Sequence, residues 1–170
     1  MQNTTLCYLE QDGKYLLLHR VKEEEDINKG KWMGVGGHFE EGESPYDCAI
    51  REVFEETGLV LTEARYRAVV TFASDAYESE QMHLFTSSGF LGELTDCNEG
   101  VLRWWDKKEV LSLPMWEGDA VFLSLLEERE DFFSLKLLYH GDTLTGAVLD
   151  GVPISLPQKG SGQEDNTPKG

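Results

Sequence analysis

Apolar residues along this chain fall in short runs divided by turn residues, so strands dominate the expected structure. Residues 5–9 and 15–20 flank Gln11-Asp12-Gly13, the pattern of a β-hairpin. Residues 64–73 and 82–90, rich in Val, Phe, Leu and Thr, predict two further strands about a turn at 74–80. Residues 101–105 predict another strand, and 133–139 with 144–149 a second hairpin around His140-Gly141-Asp142. Two segments read as helices. Residues 116–128 space Val121, Leu125 and Glu128 to give mixed faces. Ser44-Pro45 opens the other helix: a side-chain acceptor at the N-cap, Pro at the first helical position and Asp47 in the first turn. Gly58 suits the left-handed position that closes it.

On that second helix, at roughly 100° per residue, Tyr46, Ala49, Ile50, Val53 and Phe54 share one arc. Glu52, Glu55 and Glu56 share the opposite arc, with Arg51 at its edge. Strands and helices alternate without regular βαβ units, which favours an α+β or layered α/β/α domain over a doubly wound sheet.

At 170 residues the chain has room for one domain with a core, expected over residues 1–152. From Pro153 the texture changes to Pro, Gly, Ser, Gln and Lys, and residues 153–170 are expected to be a disordered tail. A hydrophobic fraction of 40% with 11% aromatics fits a globular protein. No apolar run approaches the ~20 residues needed to cross a bilayer, and no secretory leader pattern is visible. Cys7, Cys48 and Cys97 are odd in number and lack metal-ligand spacing, which fits a reducing, cytoplasmic setting. A net charge of -17 argues against a nucleic-acid polymer as partner. A mononucleotide, its charge met by cations, is not excluded.

The chemistry lies in residues 37–59, which contain Gly37, Glu43, Arg51, Glu52, Val53, Glu55, Glu56, Gly58 and Leu59. They match G-x5-E-x7-R-E-U-x-E-E-x-G-U at every fixed position, with U a bulky aliphatic. Carboxylates at i, i+3 and i+4 repel one another, and a solvated acidic face tolerates that. A bare acidic face does not account for the flanking glycines and Arg. Clustered carboxylate oxygens suit Mg²⁺ or Mn²⁺, hard ions that also bind substrate phosphates. Gly34, Gly36 and Gly37 precede the helix and let backbone approach it closely. Lys22, Lys29 and Lys31 are candidates to meet phosphates or are simply exposed loop lysines.

The motif resembles the Nudix box of divalent-metal-dependent hydrolases that split diphosphate linkages. That resemblance implies a mixed sheet sandwiched between helices. It also implies a metal site from the Gly36 carbonyl, Glu55 and Glu56, with Glu52 as ligand or general base. Glu43 and Arg51 would form a salt bridge that orients the helix.

Beyond the box, three stretches look similar to MutT-type nucleoside triphosphate pyrophosphohydrolases: Lys29-Gly-Lys-Trp32 running into Gly34-Val-Gly-Gly37, Cys97-Asn-Glu99-Gly, and Met115-Trp116-Glu-Gly-Asp119. The similarity makes Glu99 a further ligand or base, with Glu80 as its rival. It makes Trp116 and Asp119 candidates to stack on and hydrogen-bond a base; the alternatives are core packing and a helix-dipole acid. Met33, Gly37, His38 and Phe72 are the remaining substrate-side candidates, with core packing the safer reading for Phe72. Met33 stands where some oxidised-guanine hydrolases have an Asn, and Gly118 where a relative has a second Asp, so base recognition is expected to be altered.

The expected substrate is an oxidised purine deoxynucleotide such as 8-oxo-dGTP, cleaved with Mg²⁺ by the monomer or a homodimer. The alternatives are a pyrophosphatase for ADP-ribose, nucleotide sugars or dinucleotides, and a Nudix module that senses nucleotides without hydrolysis.

Overall fold

Two consecutive residues with positive φ, Asp12 (53°) and Gly13 (76°), turn the first hairpin. Positive φ at both central residues is the requirement of a type I′ turn. The computed structural model describes residues 1–21 and 27–157. Its early elements are β1 (Gln2–Gln11), β2 (Lys14–Arg20), β3 (Trp32–Met33), α1 (Pro45–Thr57), β4 (Val60–Leu61), β5 (Arg65–Ser74) and β6 (Glu80–Ser87). Then come β7 (Phe90–Leu91), β8 (Gly100–Asp106), α2 (Lys107–Val110), α3 (Glu117–Glu128), β9 (Phe133–His140), β10 (Thr143–Leu149) and β11 (Val152–Ile154).

Hydrogen bonds order the main sheet β11-β10-β9-β5-β6-β1-β2-β3, with β8 also on β2. β1 runs parallel to β6 and β5 parallel to β9, while the hairpin pairs are antiparallel. Alternation along β1 sends Leu6 and Tyr8 to one face, Cys7 and Leu9 to the other. Leu6 and Tyr8 join Val70, Leu84, Phe122 and Leu135 in a core beneath α3. Cys7 and Leu9 join Val35, Ala49, Val53 and Phe85 beneath α1. The fold is thus α+β, a mixed sheet between helices.

Helix α1 begins as its sequence requires. Asp47 N–H donates to Ser44 Oγ at 3.1 Å and Ser44 N–H to Asp47 Oδ2 at 3.0 Å, a reciprocal capping box. Gly58 closes it at φ 83°, donating to the Phe54 carbonyl at 2.9 Å. The buried stripe differs from the expected apolar arc. Cys48, Ala49, Val53, Glu56 and Thr57 are buried, whereas Tyr46, Ile50 and Phe54 are exposed. The helix is rotated so that Glu56 reaches a backbone N–H of the glycine loop, and part of the apolar arc overhangs the sheet. Tyr46 keeps edge contacts with Tyr66 and Phe85.

Other boundaries also move. The strand expected over 82–90 stops at Ser87, because the Glu63 carboxylate gathers the amides of Ser88 (2.6 Å) and Gly89 (3.0 Å) into a turn. Phe90 and Leu91 then pair with β4. Past the expected boundary at 153, β11 pairs with β10, and Ile154 and Leu156 pack on the core beneath α3. The rest of the expected tail, residues 158–170, lies outside the described residues.

Helix α3 is pinned at its C-terminal end by Arg67 of β5, which is 5% exposed. Its guanidinium donates to the carbonyls of Leu126 (3.1 Å) and Arg129 (2.8 Å) and to Thr86 Oγ1 (3.2 Å). A cation there satisfies orphan carbonyls and complements the helix dipole. Arg67→Ala leaves those groups buried without a donor and should cost roughly 2–3 kcal/mol. Thermal melting should show this as a fall of about 4–12 °C; an unchanged melting temperature would show that Arg67 does not anchor α3.

Candidate active site

Glycines bring the loop before α1 against the helix. A Cβ on Gly36 would lie 1.9 Å from the Thr5 carbonyl oxygen, and one on Gly37 would lie 2.4 Å from Glu52 Oε2. Val35 and Gly37 turn their carbonyls to β1, accepting from Cys7 and Thr5. Gly36 turns the other way and donates its N–H to Glu56 Oε1 at 3.0 Å. The other Glu56 oxygen is buried and has no hydrogen-bond partner among the described residues.

Arg51 organises the remaining carboxylates. It makes a two-pronged pair with Glu43 (Nε–Oε2 2.6 Å, Nη2–Oε1 2.9 Å). It also reaches Glu52 at 3.1 Å, Glu55 at 3.2 Å and the His38 carbonyl at 2.9 Å. Glu43 is held well below the usual carboxylate range, chiefly by those hydrogen bonds. Glu52 moves the opposite way, because burial outweighs its contact with Arg51. Glu56 is pushed well above the carboxylate range, first by burial and then by the charges of Glu99 and Glu52. Glu99 has a cation of its own, Arg20 Nη1 at 2.9 Å.

Could these groups hold a divalent cation? Among the described residues no three carboxyl, imidazole or thiol groups are gathered closely enough to hold an ion as they stand. Glu55 leans on Arg51 and Glu99 on Arg20 instead. The donor set nevertheless fits Mg²⁺ or Mn²⁺: hard oxygens only, with one buried Glu56 oxygen left without a partner beside two further carboxylates. A cation supplied there would satisfy that oxygen.

A cleft of about 500 Å³ runs from these carboxylates to an aromatic end. It is lined at one end by Gly36, Gly37, Glu52, Glu55 and Glu99, and at the other by Met33, Phe72, Met82, Trp116, Asp119 and Tyr139. Trp116 is 8% exposed and packs edge-on against Phe72 (5.7 Å) and Tyr139 (5.4 Å). Its indole N–H donates to Asn28 Oδ1 at 2.7 Å, and Lys31 Nζ lies 4.6 Å from its ring centre. Core packing and cleft lining are therefore both properties of Trp116 and of Phe72. Asp119 is 7% exposed, and burial pushes its carboxyl up to about 8, with Glu80 adding and Lys31 opposing.

The fold brings Gly37, Glu52, Glu55 and Glu99 to one end, with Glu56 buried behind them, and Met33, Phe72, Trp116 and Asp119 to the other; His38 also lines the cleft. Glu99, not Glu80, joins the box carboxylates; Glu80 lies where its charge acts on Asp119. Lys31 sits at the aromatic end, and Lys22 lies outside the described residues. Sequence reasoning missed Arg20, Asn28, Met82 and Tyr139. Tyr139 accepts the Gly118 N–H at 2.6 Å, and a Cβ on Gly118 would lie 2.8 Å from that hydroxyl. Only period-two burial along β9 hinted at its direction.

The NUDIX domain profile matches residues 2–126. The chain is 34% identical over 131 residues to the Nudix hydrolase YvcI of Bacillus subtilis, covering 74% of this chain and 79% of that protein. It is 27% identical over 150 residues to the oxidized purine nucleoside triphosphate hydrolase of Danio rerio, covering 87% and 94%. Among solved structures, the MutT protein of Bacillus halodurans superposes with a TM-score of 0.80 at 27% identity, covering 90% of this chain and all (100%) of that one.

Two predictions come from this geometry. The atoms nearest a Cβ on Gly37 belong to the Glu52 side chain, so Gly37→Ala should fold yet lose on the order of 100-fold in activity, whereas Gly36→Ala meets backbone and should cost roughly 1–3 kcal/mol of stability. Activity and melting curves on both variants separate the two effects. The second concerns Asp119, whose unfolded value is near 3.8 and whose folded value is about 8. Its stabilising contribution is complete below the lower value and is lost as pH rises through the upper one. In metal-free protein, the fall in melting temperature from pH 5 to pH 9 should shrink in Asp119→Asn, with the variant the more stable at pH 9. Superimposed curves would show that Asp119 does not titrate in that range.

Proposed function

The chain belongs to the Nudix family, and we propose that it hydrolyses nucleoside triphosphates to the monophosphate and pyrophosphate with Mg²⁺, in the cytoplasm. An oxidised purine deoxynucleotide such as 8-oxo-dGTP is the leading substrate. One observation carries this reading: a single cleft joins a carboxylate cluster with an unpartnered buried oxygen to an aromatic pocket holding a buried carboxyl. The first suits a cation with phosphates, the second a flat ring with polar edges.

In this mechanism the Gly36 carbonyl, Glu55, Glu56 and Glu99 would hold the cation, with Glu52 as a further ligand or as the base. Bound Mg²⁺ would neutralise phosphate oxygens and make a water easier to deprotonate. Glu52 is the general base. Burial raises its proton affinity while Arg51 fixes its orientation at 3.1 Å. The water oxygen bonds to the β-phosphorus as its proton passes to Glu52, and the α–β bridging oxygen leaves with the monophosphate. Glu99 is the second candidate for the base. Glu43 positions the helix through Arg51 and touches no reacting atom. Trp116, Phe72 and Met33 enclose the base, and Asp119 hydrogen-bonds its edge. Names of relatives support this substrate class: the Danio rerio protein is an oxidized purine nucleoside triphosphate hydrolase.

The test is pyrophosphate release with Mg²⁺ across 8-oxo-dGTP, dGTP, the other dNTPs, ADP-ribose and UDP-glucose. The expected result is a kcat/KM preference for 8-oxo-dGTP, no turnover after chelation, and a loss on the order of 10²–10³-fold in Glu56→Gln. Turnover of ADP-ribose with triphosphates inert would overturn the substrate assignment. Nucleotide binding without any turnover would identify a sensing module.

A further inference from the structure

Glu80 opens β6 opposite Phe72 of β5. Alternation along β6 puts Glu80, Met82 and Leu84 on one face, and Leu84 lies in the core beneath α3. Glu80 therefore faces the aromatic end of the cleft, which it lines together with Asp119. Thr4 Oγ1 donates to Glu80 Oε2 at 3.0 Å and fixes the carboxylate. Its Oε1 has no hydrogen-bond donor among the described residues. The Asp119 side chain, only 7% exposed, is also without a hydrogen-bond partner among the described residues, and its remaining surface opens into the cleft. An aromatic pocket thus holds two carboxyl groups that are positioned but not satisfied. Asp119 is buried and Glu80 half-buried, and burying a carboxyl group is costly unless a ligand completes its hydrogen bonds.

We propose that Glu80 accepts a hydrogen bond from an exocyclic amino group of the base, so that the site selects amino-bearing bases over thymine, uracil and hypoxanthine. This rests on the nucleotide reading above and specifies its substrate class. A buried, protonated Asp119 offers one donor and one acceptor. That pair matches the lactam or amidine edge of any nucleobase, so Asp119 alone discriminates little. Glu80 is an acceptor only, and it needs a further N–H. In guanine-type substrates that group is the 2-amino group; hypoxanthine presents a C–H in its place and leaves the Glu80 oxygen unpaired. Glu80 is thereby a specificity-determining residue for the base and has no part in the phosphate chemistry.

The experiment compares 8-oxo-dGTP with 8-oxo-dITP, which differ only in that amino group, by kcat/KM. In parallel, calorimetry without metal compares the monophosphates dGMP and dIMP. Wild-type protein should prefer the amino-bearing member of each pair by about tenfold or more. Glu80→Met should reduce both preferences to about twofold, and Glu80→Gln, which keeps an acceptor, should restore part of them. Equal binding of dGMP and dIMP by wild type, or an undiminished preference in Glu80→Met with an unchanged melting temperature, would overturn the assignment. Absence of triphosphate turnover with a dGMP preference that depends on Glu80 would instead overturn the hydrolase reading and leave this one standing.

Discussion

Crowding four carboxylates at one end of a cleft is the constraint to which the rest of this structure answers. Two like charges about 4 Å apart near a protein surface repel by roughly 4 kcal/mol, so the cluster persists only with compensating groups. Arg51 supplies most of the compensation. Its planar fork is anchored on Glu43 and the His38 carbonyl and extends to Glu52 and Glu55. Arg20 does the same for Glu99. Glu56 receives no cation from these two pairs, only the Gly36 amide and burial. The fold therefore leaves one buried Glu56 oxygen without a partner, and in the proposed function a bound cation would meet it.

The second half of the cleft is built differently and connects to the first through β1. On one face of that strand Cys7 and Leu9 support α1; on the other Leu6 and Tyr8 support α3. Residues from both faces reach the cleft, Thr4 toward Glu80 and Thr5 beneath Gly36. Helix α3 is held at its far end by Arg67 and offers its first turn, with Asp119, to the pocket. A rigid sheet thereby fixes the spacing between the carboxylates and the aromatic pocket, as the proposed two-ended substrate requires.

Much of this was legible in the chain because local chemistry decides it. Ser44-Pro45 and Gly58 set the ends of α1, and the spacing of Glu52, Glu55 and Glu56 set their common side. Asp12-Gly13 set the first hairpin. What escaped depends on tertiary approach. The buried stripe of α1 is turned toward Glu56 because a glycine-loop amide N–H donates to a carboxylate that periodicity alone would expose. Tyr139 and Asn28 enter the site from segments far apart in sequence, with only the period-two pattern of β9 to mark the first and nothing local to mark the second. Glu80 and Glu99 are alike as loop or strand-end acids; only the pairing of β6 with β5 and of β8 with β2 separates their destinations.

The central claim is that the α1 carboxylates form a divalent-cation site governed by Glu56. Titrating Mn²⁺ into metal-free protein, with free ion followed by electron paramagnetic resonance, addresses it without a substrate. Saturable binding in wild type, weakened about tenfold or more in Glu56→Gln, is the predicted result. No saturable binding, or identical binding in the two proteins, would contradict the account.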